Sequence, residues 1–423
     1  MTKMPQEPTL DATARLLRDP YRYIATRCRR FGSDAFQTRL LLRPTICMSG
    51  SDAAELFYDE ARFARQGAMP EPVRATLLGK GGVQGLDGEE HRHRKALFVS
   101  LMTQDRVAAL GARFGEELAV AATRWRSRSE IVLYDALHEP LARAVCAWAG
   151  VPLAETEVRR RTRQLVAMFD AAASIGPRHL RSRLARRRAE RWLSNLIHDA
   201  RVSRIETPPG SALGAIASHR DLGGQPLPLR IAAVELLNVL RPTVAVAVFI
   251  TFAAHALHLH PEWRARFRAG DDTDLDAFVQ EVRRFYPFFP AVAARVRTGF
   301  TWRGMHFPKG RRAMLDLFGT DRDARTWSGP DEFRPGRFQE DDGGAFGFIP
   351  QGGGDARIHH RCPGEPVTVE LMKVAVRFLS AEITYDVPEQ DLGIAWSRLP
   401  ALPHSGMIIR DVRAATTDPR HIL

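Results

Sequence analysis

The sequence predicts a mainly α-helical fold with small β-sheets at both ends, and three observations lead there. From about Asp105 to Gln280, apolar residues recur at helical spacing. The breaks in that pattern are short and rich in turn residues, GVPL (Gly150–Leu153) and ETPPGSALG (Glu206–Gly214). Strand-like stretches are brief and lie outside this central region.

The elements follow in order. The first third mixes helix-like segments with a strand pair around RLLLRPTICMSG (Arg39–Gly50). LARAVCAWAG (Leu141–Gly150) carries Cys146 as a small core residue on a helix. TVAVAVFITFAAHAL (Thr243–Leu257) is the longest apolar run; it starts beside Arg241, contains His255 and reads as a buried helix. Pro242 at its head removes a backbone hydrogen bond, which predicts a kink there. HFPKGRRAMLDLF (His306–Phe318) is a turn followed by a strand, and EITYDVPEQ (Glu382–Gln390) and SGMIIRDV (Ser405–Val412) are two late strands. No repeat, low-complexity tract or linker divides the 423 residues, so 1–423 is expected to be one domain.

Composition excludes several classes. The chain is 44% apolar and 26% charged, with no uncharged apolar run of about eighteen residues, so no transmembrane anchor is expected. The opening MTKMPQEPTLDATARLL has no apolar core behind a basic flank, so a secretory signal is not expected either. Cys28, Cys47, Cys146 and Cys362 show no CxxC and no regular spacing, which argues against a disulfide framework and for a reducing, cytoplasmic setting. The net charge of +12 concentrates in RRRTRQ (from Arg159) and RHLRSRLARRRAERW (from Arg178). Such charge attracts nucleic acid, an acidic membrane surface or anionic substrates. It also fits a solvated helix face, and since no nucleic-acid motif accompanies it, no nucleic-acid partner is expected.

FIPQGGGDARIHHRCPGEPVTVELMK (Phe348–Lys373) holds the one cysteine in polar, loop-like company. A glycine-rich loop leads to Cys362, proline follows it, and VTVELMKVAVRFL continues at helical spacing. Cys362 is therefore expected at a helix N-terminus near Pro363, where free N–H groups and the helix dipole stabilise a thiolate. Such a thiolate serves as nucleophile, redox thiol or metal ligand. His359 and His360 are near, but no resolving cysteine and no zinc-finger spacing accompanies them. A lone thiolate is also what haem iron uses.

Two more motifs carry a resemblance. EVRR places Glu281 and Arg284 at i,i+3 on one helix face, a pair worth roughly a few tenths of a kcal/mol on an isolated helix. DEFRPGRF, with Arg337, follows, and then the cysteine loop. This order of ExxR, PxRF and Cys loop resembles the cytochrome P450 superfamily over nearly the whole chain. The resemblance implies the P450 fold, with haem b buried between two long helices, Cys362 as axial ligand of its iron, and Glu281, Arg284 and Arg337 locking the core beneath it. In most of that superfamily a phenylalanine lies seven residues before the cysteine. Here Phe348 lies fourteen before Cys362, and the longer PQGGGD…HRCPGE form resembles the bacterial fatty-acid peroxygenases, which use hydrogen peroxide directly.

That branch has Arg-Pro where monooxygenases carry an acid and a threonine, and Arg241–Pro242 match it. Without the resemblance, Arg241 in an apolar helix reads as a structural ion pair or a charge reaching solvent. With it, Arg241 holds a fatty-acid carboxylate bidentately, and that carboxylate acts as general acid/base toward peroxide, directing hydroxylation to the α or β carbon. Gln84, in GKGGVQGLDGEEHRHRKALF, matches a position where glutamine accompanies hydroxylation and histidine accompanies decarboxylation; on its own it is a turn amide. His91, Lys95, Arg65 and Arg295 match positions that contact the haem propionates, though each alone reads as a surface charge. Leu77, Leu78, Ala245 and Phe288 match the lining of an acyl tunnel, though each alone reads as core. The expected activity is peroxide-driven hydroxylation of long-chain fatty acids with no redox partner. A decarboxylase forming terminal alkenes, a reductase-dependent monooxygenase, and a haem- or fatty-acid-binding module without turnover are the alternatives.

Overall fold

The computed structural model describes residues 3–170 and 176–415. Its helices follow the predicted periodicity. The helices used below are α1 (Gly88–Ser100), α2 (Gln104–Trp125), α3 (His138–Trp148), α4 (Glu155–Asp170), α5 (Pro177–Arg201), α6 (Leu229–Ala245), α7 (Ala247–Leu259), α8 (Leu275–Phe285) and α9 (Glu365–Arg377). In α2, Val107, Leu110, Phe114, Leu118, Ala121 and Trp125 form one buried stripe, and this face packs on α3 and α9. In α8, Leu275, Phe278, Val279 and Val282 do the same, while Glu281 and Arg284, also buried, occupy the adjoining face.

Together α6 and α7 span Leu229–Leu259, as long and apolar as a membrane-crossing helix, yet 89% of the most apolar window is buried inside the protein. A helix apolar all round suits the centre of a large core. Cys146 on α3 lies in this same core. Pro242 stays within α6 rather than ending it. The ladder breaks four residues later, at Val246, whose N–H bonds one residue short, to Thr243 O (3.2 Å). Pro242 has no N–H to give Asn238 O, and the Thr243 hydroxyl donates to Val239 O (2.9 Å). The helical pattern is thus interrupted at Val246 rather than at Pro242, the expected kink site.

Five strands make the main sheet: β1 (Ala35–Leu40), β2 (Arg43–Met48), β3 (Phe63–Ala64), β4 (Ala291–Val296) and β5 (Arg312–Asp316), in the order β1-β2-β5-β4-β3. The β1–β2 hairpin is the predicted strand pair, and β2 pairs parallel with β5 through Thr45 and Arg312. The late strands Ile383–Asp386 and Ile408–Ala414 pair antiparallel, with Glu130–Val132 on the far edge. The helical core and the sheet core are separate apolar clusters that share Phe289 on their margins.

One buried ion network ties them together. The Arg284 guanidinium donates to both Glu281 oxygens (2.7 and 2.8 Å) and to the carbonyls of Asp321, Pro330 and Glu332. Arg337 donates to Glu281 (3.2 Å) and to the carbonyls of Ser328, Gly329 and Glu332. Glu281 and Arg284 have no exposed surface, and Arg337 is 3% exposed. The pair that is worth little on a lone helix therefore becomes a buried cluster whose every charge has a partner. Glu281→Ala would leave two buried guanidiniums without their counter-ion. It is expected to cost about 3–5 kcal/mol, read as a lower urea midpoint for the purified protein.

Candidate functional site

The cysteine loop is built to bring backbone close together. Cys362 N–H donates to Gln351 O (3.0 Å), Gly354 N–H to Ala345 O (2.8 Å), and Asp355 N–H to His359 Nδ1 (2.9 Å). Gly352 (φ +100°) and Gly354 (φ +80°) take backbone angles that side chains avoid. A Cβ on Gly354 would also fall 2.4 Å from the His359 ring. The glycines of PQGGGD thus serve a compact fold-back of the loop. The helix itself starts later than expected: α9 begins at Glu365, Pro363 lies in the preceding turn, and the proline of the first helical turn is Pro366. Gly364 supplies the N–H that points to the Cys362 sulfur.

In the protein alone, burial pushes the Cys362 thiol above its ordinary value. The Gly364 N–H and the charges of Lys95 and Arg283 pull it down, but burial outweighs them, contrary to the expected dipole-stabilised thiolate. A bound metal ion reverses that balance, because a coordinating thiol is deprotonated outright.

A cationic cluster surrounds the loop. Lys95, on α1, donates to the carbonyls of His359 (2.5 Å) and Arg361 on either side of the cysteine approach. Burial lowers its ammonium to about 8, with Cys362 opposing that shift. His91, one turn earlier, is 1% exposed, stacks on His360 at 3.8 Å, and has a buried Nδ1 with no partner. Burial and the Lys95 charge lower it to about 4, and His360 falls well below its usual range for the same reasons, with Arg65 adding to the effect. Arg65 donates to Ala293 O (3.1 Å) and stacks on Phe57 and Tyr58, while Arg295 donates to Gly67 O (2.9 Å). In the β3–β4 pairing Arg295 lies opposite Ala64, the residue before Arg65.

Haem b suits this donor set. Cys362 offers a sulfur for the iron, and mutually repelling basic groups with an unpartnered buried His91 nitrogen call for anions such as two propionates. His360 belongs to that cluster and was not marked as a site residue from sequence; its position two residues before the cysteine was the available signal.

Arg241 stands on α6, 7% exposed, and among the described residues it makes no hydrogen bond or ion pair; its Nε is buried and unpartnered. Burial lowers the guanidinium to about 9, which leaves it cationic at neutral pH. The Arg186 charge adds to that lowering and Cys362 opposes it. Gln84 does not meet Arg241. It sits in the turn Val83–Gly85, and its Oε1 accepts from Asn238 Nδ2 (3.2 Å), one turn before Arg241 on α6. Asn238 also donates to Glu235 (2.9 Å), which is fully buried and paired with Arg94 (2.9 Å). Leu77, Leu78, Ala245 and Phe288 all belong to the one helical core, with Phe288 packed on Phe249 (4.4 Å).

Arg283, beside the ExxR arginine, is the link that sequence spacing missed. It donates to Glu365 and to Gln351 Oε1 (3.1 Å), and Arg361 Nε closes on the other Glu365 oxygen (2.6 Å). The ion network on α8 is thereby joined to the cysteine loop and the head of α9. Lys95→Met would strip two loop carbonyls of their partner. Amide hydrogen exchange across His359–Cys362 in the haem-free protein is expected to quicken by about 5- to 100-fold, the equivalent of about 1–3 kcal/mol.

The chain is similar to known proteins in both sequence and fold. The sequence profile of the cytochrome P450 family matches residues 274–381, which include the ExxR, PxRF and cysteine motifs. The fold is similar to solved cytochrome P450SP alpha in complex with (R)-ibuprofen: TM-score 0.94 and 55% identity, over 95% of this chain and 99% of that one. It is similar to cytochrome P450EX alpha with myristic acid (0.94, 42%, covering 98% and 100%). Cytochrome P450 OleT in complex with arachidonic acid also matches (0.95, 34%, covering 99% and 100%). Among curated sequences, cytochrome P450 84A4 of Arabidopsis thaliana is 30% identical over 122 residues, 28% of this chain and 23% of that protein's length.

Proposed function

Since the chain belongs to the cytochrome P450 family, we propose that it is a haem-thiolate peroxygenase that uses hydrogen peroxide to hydroxylate long-chain fatty acids at the α or β carbon, without a redox partner. The observation that carries this reading is Arg241: a buried guanidinium on α6 that, among the described residues, has no counter-ion. A permanent charge in an apolar core is costly unless an anion joins it. The fatty acids named with two of the similar structures, myristic and arachidonic acid, carry the matching carboxylate.

Cys362 would hold haem b by its iron, with His91, Lys95, Arg65, Arg295 and His360 as donors to the propionates. When bound, the haem supplies the oxidising chemistry, with peroxide as oxidant. The chain's own residues do the rest. Arg241 clamps the substrate carboxylate with two parallel N–H donors, which fixes the acid's head and brings its first carbons nearest the reaction centre. The clamped carboxylate carries the proton between the two peroxide oxygens, the task that an acid and a threonine perform elsewhere in the family. The balance is fatty acid plus hydrogen peroxide giving hydroxy acid plus water. Pro242 removes a backbone N–H beside that carboxylate, and Leu77, Leu78, Ala245 and Phe288 supply apolar surface for the chain. Asn238 holds the Gln84 amide by its oxygen, which frees the Gln84 NH₂ to face the bound acid.

Arg241→Ala removes both the positioning and the acid–base group. Peroxide-driven turnover of a long-chain acid is expected to fall by about 10²–10⁴-fold. The reduced, carbon monoxide-bound protein should keep its red-shifted Soret band; undiminished turnover in this variant would overturn the carboxylate clamp. Gln84→His is expected to raise the share of terminal alkene relative to hydroxy acid, measured by gas chromatography of the products.

A further inference from the structure

The basic stretch on α5 is not all solvated face. Arg178, Arg181, Arg187, Arg188 and Arg191 are exposed, but Arg186 turns inward and is 3% exposed. Its Nε donates to Glu190 (2.7 Å) and its Nη1 to the carbonyls of Thr76 and Leu77 (3.0 Å each), while its Nη2 is buried without a partner. A cleft of about 330 Å³ opens beside it, between α5 and the Ala75–Lys80 segment, lined also by Lys80, Arg183, Arg187 and Arg230.

The cleft is strongly positive. Glu190 is shared between Arg186 and Arg230 (3.9 Å), and Glu71 between Lys80 (3.8 Å) and Arg183 (3.6 Å), mostly at loose distances. Five cations thus face two carboxylates, and Arg187 makes no ion pair or hydrogen bond among the described residues. The floor is thin. A Cβ on Gly79 would lie 2.1 Å from Arg186 Nη2 and 2.6 Å from Val234 on α6, so only a glycine fits between the cleft and the helix that bears Arg241.

We infer that this cleft is an outer carboxylate site, where the head of an incoming fatty acid is captured before it reaches Arg241. The inference rests on the peroxygenase reading above. An acyl chain gains free energy once buried but cannot steer from a distance; a cationic cleft with low-dielectric walls can, raising association rates by about 10- to 1000-fold at low salt. A carboxylate leaving water needs a donor, and the unused, buried Nη2 of Arg186 offers one at the wall of the cleft, beside Gly79. The basic stretch and the acid-binding arginine then serve one substrate.

The test is stopped-flow association of palmitate and of methyl palmitate with the haem-loaded protein, followed by the Soret shift over a range of salt. The wild type is compared with the variant Arg183→Gln, Arg187→Gln, Arg230→Gln, three surface changes away from the haem donors that leave two cations facing two carboxylates. The expected result is a palmitate association rate that drops about ten-fold or more at low salt and loses its salt dependence, with dissociation little changed and the ester unaffected. Equal rates and salt slopes in both proteins, or the same loss for the ester, would overturn the outer site alone. Failure of the wild type to bind palmitate at all would overturn both the site and the peroxygenase reading.

Discussion

Glu281 is the carboxylate on which the proximal half of the molecule rests. It accepts from Arg284, Arg337 and the Arg334 N–H while wholly out of water. Those arginines in turn hold the carbonyls of the 321–332 segment, which has little regular structure of its own. Irregular chain can be buried only if its polar groups are paired, and this network pairs them. Arg283, on the same helix, reaches the other way to Glu365 and Gln351 and fixes the cysteine loop. Helix α8, from one side, and Lys95 of α1, from the other, thus hold the loop that carries the sulfur.

The distal side is governed by the opposite condition, a charge deliberately left unpaired. Arg284 and Arg337 are neutralised by Glu281, whereas Arg241 has no counter-ion among the described residues. The contrast separates structure from function: a buried cation that the fold has neutralised stabilises the fold, and one that it has not is available to a ligand. Arg186 lies between the two cases, with three of its donors' bonds made and one nitrogen free.

Much of this was legible in the chain. Helical spacing gave α2, α8 and the α6–α7 pair, and a brief strand-like stretch gave the β1–β2 hairpin, whose turn is made by Leu41 and Leu42 at positive φ rather than by turn residues. The motif order ExxR, PxRF and Cys loop led to the family that the sequence profile and the solved structures support. Residues whose role depends on neighbours distant in sequence were not legible. Arg283 lies one position from a marked arginine yet faces a different element, and Asn238 matters because a turn 154 residues away brings Gln84 to it. His360 gained its place by stacking on His91 of α1.

The sequence by itself determined the secondary structure, the thiolate loop and the presence of a cation in an apolar helix, because these depend on local periodicity, turn chemistry and residue type. The tertiary structure alone decided which charges are neutralised. It buried Glu281 between two arginines, left Arg241 without a partner among the described residues, turned Arg186 out of the basic stripe into the core, and raised the Cys362 thiol where a helix terminus suggested a lowered one. Burial and partner distance fix those outcomes, and both are set by contacts between segments far apart in the chain.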